Sequence, residues 1–201
     1  MPDRLQADPR GIARAAELLR AGDIVAFPTD TVYGIGCRPG DRAVLERLFA
    51  VKRRPADRAI PMLIGSLEEA TARGFVVDER ATALAGRFWP GGLTLVLPSV
   101  AGDASQAFRI PDHPVVLALL AAAGPLFVTS ANRSGEPETL DADDVAIAFA
   151  DADEPVATVD GGRVPGGIAS SVLDLSGARP RLLRDGPVSR AELESAIGPI
   201  D

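Results

Sequence analysis

Lys52 is the only lysine among the 21 Lys and Arg of this chain, and Arg53, Arg54, Pro55 and Arg58 follow it closely. An ammonium is a compact point charge with rotating donors, whereas a guanidinium is a broad planar fork. One lysine kept among so many arginines suggests a place where the fork does not serve, such as a phosphate oxygen in a tight cleft. Alone, Lys52 reads more simply as a solvated residue at a helix end. Its surroundings shift the balance. Arg38 to Arg58 carries seven basic residues (Arg38, Arg42, Arg47, Lys52, Arg53, Arg54, Arg58) against Asp41, Glu46 and Asp57, a local charge of 7 − 3 = +4 in a chain of net charge −7. A positive island on an acidic protein points to a local anion site rather than to general coating of nucleic acid.

Two further polar clusters stand where apolar runs end. Thr29, Asp30, Thr31 and Tyr33 crowd the stretch PTDTVYGIGC, and TSANRSGEP follows the apolar run from Pro125. Strand ends of this kind are natural ligand shelves in α/β sheets. The plainer reading of the first is a turn capped by Asp30. Gly34 and Gly36 are expected to let another group approach the backbone closely.

The inventory excludes much other chemistry. His113 is the one histidine and Cys37 the one cysteine. A Ser-His-Asp or Cys-His arrangement would have to use His113, which has no nucleophile-elbow signature nearby and reads as a structural loop residue. A zinc site with several His or Cys ligands cannot be built within one chain. An enzyme made from this inventory works by positioning and electrostatics.

The elements that must carry these residues are legible from periodicity and caps. Helices are expected over Asp8–Ala21, Asp41–Val51, from Leu67, Asp78–Phe88, Val115–Ala123, Ala142–Ala150 and Ser189–Ile197, the last with a Ser189/Glu192 capping box. Strands are expected at Asp23–Phe27, Val32–Gly36, Ile60–Ile64, Leu93–Leu97, Phe108–Ile110, Pro125–Thr129, Val156–Val159, Ser170–Leu175 and Arg181–Leu183. Trp89 is expected to anchor a helix end in the core. The segment from Gly135 to Gly162 holds nine acidic residues and no basic one. Lys52 falls where a helix gives way to a loop. An edge residue there would add little to the core, so Lys52→Arg is expected to spare folding.

The irregular alternation of strands and helices, without repeats or a low-complexity linker, indicates one α/β domain over residues 1–201 with a mixed sheet. The start, MPDRLQADPR, lacks a signal-peptide pattern, and no apolar run is long enough to cross a bilayer. A soluble cytoplasmic protein with no membrane association is expected.

Seven stretches in order, PTDTVYGIG at 28–36, KRRPADR at 52–58, FWPGGLTLVL at 88–97, FRIPDHP at 108–114, TSANRSGEP at 129–137, SSVLD at 170–174 and RLLRDGP at 181–187, resemble the YrdC-like family of threonylcarbamoyl-AMP synthases of tRNA modification. They cover nearly the whole chain. The family's paired signature, Lys-x-Arg and Ser-x-Asn, falls on Lys52 with Arg54 and on Ser130 with Asn132. The resemblance implies a twisted, mostly open sheet flanked by helices, with a concave cleft. It implies formation of L-threonylcarbamoyladenylate and pyrophosphate from ATP, L-threonine and bicarbonate, with Mg²⁺ accompanying ATP. Lys52 and Arg54 would hold phosphates and carbamate, Ser130 and Asn132 the nucleotide, and Thr31 and Arg109 the threonine. Arg58 and Arg184 are assigned to the nucleotide. Partner proteins would complete the transfer to tRNA, with possible tRNA contact by the chain itself.

The sequence departs from the family pattern at Arg58, Leu63, Glu138 and Asp185. An RNA-binding relative without synthase activity is the alternative, opposed by the intact motif pairs and by the acidic charge. A carbamoyl-transfer module of larger maturation enzymes is a third reading, opposed by the lack of acylphosphatase-like or zinc-finger segments.

Overall fold

A computed structural model describes residues 3–53, 59–165 and 168–201. In chain order the first elements are β1 (Arg4–Gln6), α1 (Pro9–Arg20), β2 (Val25–Pro28), β3 (Tyr33–Cys37), α2 (Arg42–Val51) and β4 (Met62–Leu63). Next come α3 (Glu68–Ala72), α4 (Glu79–Phe88), β5 (Leu93–Pro98), β6 (Ser105–Arg109), α5 (Pro114–Ala123) and β7 (Leu126–Ser130). The chain closes with α6 (Ala142–Ala148), β8 (Ala157–Asp160), β9 (Ser171–Asp174), β10 (Arg181–Arg184) and α7 (Arg190–Ile197). The expected α/β class with mixed pairing and flanking helices is what the chain adopts. It divides into two compact units, Met1–Ile60 with His113–Gly167, and Pro61–Asp112 with Ile168–Asp201.

In the first unit the strands run in the order β1-β8-β2-β3-β7. β8 pairs parallel with β1 and β2, while β3 pairs antiparallel with β2 and β7. Val25 and Phe27 alternate with Ala26 along β2, and all three are fully buried. A strand buried on both faces needs cover on both. Ala26, Ile35 and Cys37 join one apolar cluster with Val44 and Leu48 of α2 and Val145 of α6. α1 and α5 pack on each other and on β2.

Local chemistry sets the helix starts. Asp8, Asp41 and Asp141 each accept a backbone N–H of the first turn of α1, α2 and α6. His113 does the same for α5: its Nδ1 accepts Val115 N–H at 3.3 Å. This bears out the structural reading of the lone histidine.

In the second unit the order is β4-β6-β5-β9-β10, again with mixed directions. Leu93, Leu95 and Leu97 of β5 are completely buried, as are Leu84 of α4 and Leu193 of α7. Phe75 meets Phe108 edge-on, with centroids 5.0 Å apart. The Ser189/Glu192 capping box forms as expected. Trp89 differs from expectation: it is only part-buried, and its indole N–H donates to the Leu93 carbonyl at 2.6 Å. Its polar edge ties the helix end to β5.

β1 has no counterpart among the expected strands. RLQ is polar and short, with no alternation to read. It forms because Arg4, Leu5 and Gln6 pair with Thr158, Val159 and Asp160.

Candidate functional site

Lys52 follows α2 directly, and it is neither solvated nor peripheral. Its side chain is 2% exposed, among the largest fully buried ones. The ammonium donates to the Asn132 carbonyl at 2.6 Å and, closer still, to the Ser130 carbonyl. The Ser134 amide returns a bond to the Lys52 carbonyl at 3.1 Å. The two motif segments are therefore laced together within the first unit. A buried ammonium requires such satisfaction, and strand-end carbonyls supply it. This overturns the expectation of an edge residue remote from the core.

Ser130 ends β7 opposite Gly34 of β3, and the Ala131 amide donates to the Tyr33 carbonyl at 2.7 Å. Asn132 is 7% exposed. Its amide donates to the Glu136 carbonyl at 2.6 Å, while its Oδ1 is buried with no partner among the described residues. A buried acceptor left this way is unusual and calls for a donor.

Thr31 lies two residues before β3. The Thr29 side chain organises the turn around it. The Thr29 hydroxyl donates to the Val32 carbonyl at 2.7 Å and accepts the amides of Thr31 and Val32. It also lies 3.1 Å from the Thr31 hydroxyl. Thr29 and Thr31 are both buried. Tyr33 leaves the cluster that sequence suggested: its hydroxyl donates to the Gly162 carbonyl at 2.7 Å and accepts the Gly161 amide. The close approach expected at the β3 glycines comes from β7. A Cβ on Gly34 would stand 2.8 Å from a Val128 methyl, and one on Gly36 2.6 Å from the Phe127 carbonyl oxygen.

The positive island is partly consumed by internal ion pairs. Arg47 pairs with Glu154 at 2.8 Å, Arg53 with Asp151 at 2.7 Å, and Arg42 with Glu46 at 2.8 Å. Two of these carboxylates come from the acidic segment 135–162, so island and segment neutralise one another. Arg54 and Arg58 lie outside the described residues.

Arg133 was not singled out by sequence, and its burial is what distinguishes it. It is 5% exposed. Its guanidinium donates to the Val51 carbonyl at 2.7 Å, to the Ala148 carbonyl at 3.1 Å and to Asp151, and it lies 5.7 Å above the Phe149 ring. Val51 and Ala148 end α2 and α6, where unpaired carbonyls accumulate and a cation is favoured. The Arg133 guanidinium, followed by Arg53, holds the Asp151 carboxyl below its ordinary value. The available signal was an arginine directly after Ser-x-Asn, facing an acidic segment.

In the second unit Arg109 ends β6. It is 7% exposed, and its Nε donates to the Gly91 carbonyl at 2.8 Å. Leu63, one of the departures from the family pattern, is its register partner on β4. Arg184 ends β10, separated from β6 by β5 and β9 in the sheet order, and donates to the Ser170 carbonyl at 2.9 Å and hydroxyl at 3.1 Å. Each guanidinium donates to a backbone carbonyl, which helps to fix the plane of the fork. Among the described residues no cluster of His, Cys, Asp and Glu could hold a metal ion, and no helix is long and apolar enough to cross a membrane.

The fold and these loops define a class of mixed α/β proteins in which a Lys-x-Arg loop is laced to a Ser-x-Asn strand end. The chain belongs to the Sua5/YciO/YrdC family, whose model, described as "Telomere recombination", matches residues 17–186. It is 38% identical to the threonylcarbamoyl-AMP synthase of Bacillus subtilis, over 98% of this chain and 60% of that protein. It is 37% identical to the putative threonylcarbamoyl-AMP synthase of Mycobacterium tuberculosis, over 96% of this chain and 93% of that one. It superposes on the crystal structure of Pyrococcus abyssi Sua5 complexed with L-threonine with a TM-score of 0.87 and 36% identity, covering 100% of this chain and 62% of the other. This chain thus spans about three-fifths of the Bacillus and Pyrococcus proteins and nearly all of the mycobacterial one.

Proposed function

We propose that this chain is a threonylcarbamoyl-AMP synthase, which makes L-threonylcarbamoyladenylate and pyrophosphate from ATP, L-threonine and bicarbonate for tRNA modification. The observation that carries this reading is the lacing of Lys52 to Ser130 and Asn132, in a chain that spans 93% of a mycobacterial relative named "Putative threonylcarbamoyl-AMP synthase". The Pyrococcus relative solved with L-threonine supports the amino-acid substrate.

The threonine amine and bicarbonate condense to a carbamate as water is lost. Its oxygen attacks the α-phosphorus as the bond to pyrophosphate breaks, so no protein nucleophile is needed. The protein's task is charge neutralisation and orientation. Lys52 and Arg54 act on phosphates and carbamate, with the Lys52 charge set beside the end of β7. Ser130 and Asn132 hold the nucleotide. The buried Oδ1 of Asn132 suits an amino or hydroxyl donor of ATP, because the Glu136 carbonyl already fixes its amide. Thr31 and Arg109 hold threonine, Arg109 forking onto the carboxylate. Arg58 and Arg184 are assigned to the nucleotide. Mg²⁺ travels with the phosphates of ATP, whose hard oxygens and water suit it. The 201 residues act as one functional domain, and partner proteins transfer the threonylcarbamoyl group to tRNA.

Purified protein incubated with ATP tests the reading. Pyrophosphate release is expected only with both L-threonine and bicarbonate. Equal release with ATP alone, or none under any condition, would overturn it.

A further inference from the structure

We propose that Asp151 is a positioning residue for the reaction, clasping Arg53 of the Lys-x-Arg loop and Arg133 of the Ser-x-Asn loop on one carboxylate. The role in catalysis rests on the synthase reading above. The clasp itself rests on geometry. Arg53 donates to Asp151 Oδ2 at 2.7 Å, and Arg133 donates to Oδ1. Each arginine adjoins a residue assigned to the reaction, Lys52 in one case and Asn132 in the other.

Asp151 makes a poor stability device. Its side chain is 67% exposed, as is much of Arg53 at 64%, and exposed ion pairs contribute little to folding. What it can do is select conformation. Arg53 sits at φ 49°, a left-handed backbone that residues with a Cβ rarely adopt. Arg133 is held in one orientation by Val51, Ala148 and Phe149. The Asp151 carboxylate joins the rare conformer of Arg53 to that rigid guanidinium, one residue beyond Lys52. The Lys52 carbonyl, which receives the Ser134 amide, falls in sequence between Val51, whose carbonyl Arg133 holds, and Arg53.

The carboxylate also borders a cavity of about 360 Å³ lined by Arg47, Arg53, Arg133, Asp153 and Glu154. That space accommodates one added methylene, so Asp151→Glu should keep both contacts. Asp151→Asn keeps the shape and loses the charge.

Two measurements on the full chain test the proposal. Hydrogen exchange at the Ser134 amide reports the clasp without any need for activity. Steady-state kinetics of pyrophosphate release report its use. In Asp151→Asn, Ser134 exchange should rise and kcat should fall, each by about tenfold, as a small displacement in an oriented site can produce. KM for threonine should stay within about twofold, since uniform binding is untouched. Asp151→Glu should recover most of both losses. Glu17→Gln, which removes the exposed Arg14–Glu17 pair on α1, should change neither. Exchange that rises while kcat holds, kcat that falls while exchange holds, or no recovery with glutamate would each overturn the positioning role. A wild-type protein without threonine- and bicarbonate-dependent release would refute the synthase reading and with it the catalytic half. Ser134 exchange would then decide the clasp alone.

Discussion

The Lys52 ammonium stands 2.6 Å from the carbonyl oxygen of Asn132, eighty residues further along the chain. The one lysine of the protein thus serves as a buried bracket between two loops. A point charge with rotating donors suits this place, because the two carbonyls it meets, of Ser130 and Asn132, lie within one tight turn of backbone.

Replacing Lys52 should therefore destabilise the fold. Lys52→Met keeps the stem and removes the donors, leaving buried carbonyls unpaired. The expected cost is about 1.5–3 kcal/mol, as for lost hydrogen bonds to a charged group. Tm should fall by about 2–4 °C for each kcal/mol in a chain of this size. Lys52→Arg should also lower Tm, since a wider fork is forced into a filled space. Thermal unfolding followed by circular dichroism checks both. An unchanged Tm in Lys52→Met would remove Lys52 from its bracket.

Arg109 separates two roles by substitution. Its Nε donates to the Gly91 carbonyl, which orients the guanidinium proposed to meet the threonine carboxylate. Arg109→Lys keeps the charge and cannot make both contacts. Calorimetric titration should show threonine binding weakened by about 1.5–3 kcal/mol in Arg109→Ala and nearly as much in Arg109→Lys. ATP affinity should be unaltered. Loss of ATP binding with threonine binding intact would reassign the residue to the nucleotide.

Acid should act through Asp160. The Gly162 amide first, then Arg4, holds its carboxyl below the ordinary value. A carboxylate with a depressed folded value contributes stability above the unfolded value, about 3.9, and loses it as pH falls through the folded one. Asp160→Asn should flatten the acid limb of a Tm-against-pH curve below about pH 4 and leave its slope near neutrality alone. An identical acid limb in the variant would show that Asp160 does not carry this dependence.

Cys37 should be silent toward thiol reagents while the protein is folded. Burial pushes its thiol up to about 11, and the side chain is completely enclosed. Only the thiolate reacts, so modification by a disulfide reagent near pH 8 should track global unfolding across a denaturant series. Rapid labelling of the native protein would mean that the strand end opens locally.

Much of this protein was determined by sequence alone. Asp8, Asp41, Asp141 and Ser189 announce their helices because a cap acts within three residues. Val25 to Phe27 and Leu93 to Leu97 announce their strands because short runs that are apolar or nearly so, bounded by turn residues, have few other uses. The motif stretches identified the family for the same reason, since each is local and they occur in order. Tertiary structure alone decided where the charges go. Nothing around Lys52 signals that its ammonium meets Ser130 and Asn132, or that Arg53 and Arg133 share Asp151, because those partners lie 78, 80, 98 and 18 residues away. A count of charges cannot tell an arginine aimed at a ligand from one already paired. β1 shows the same limit. Arg4–Gln6 has no apolar pattern of its own and becomes a strand only because β8 presents an edge to it. Local propensity acts over a turn or two of chain, whereas burial and pairing depend on which distant segments the fold brings within a few ångströms.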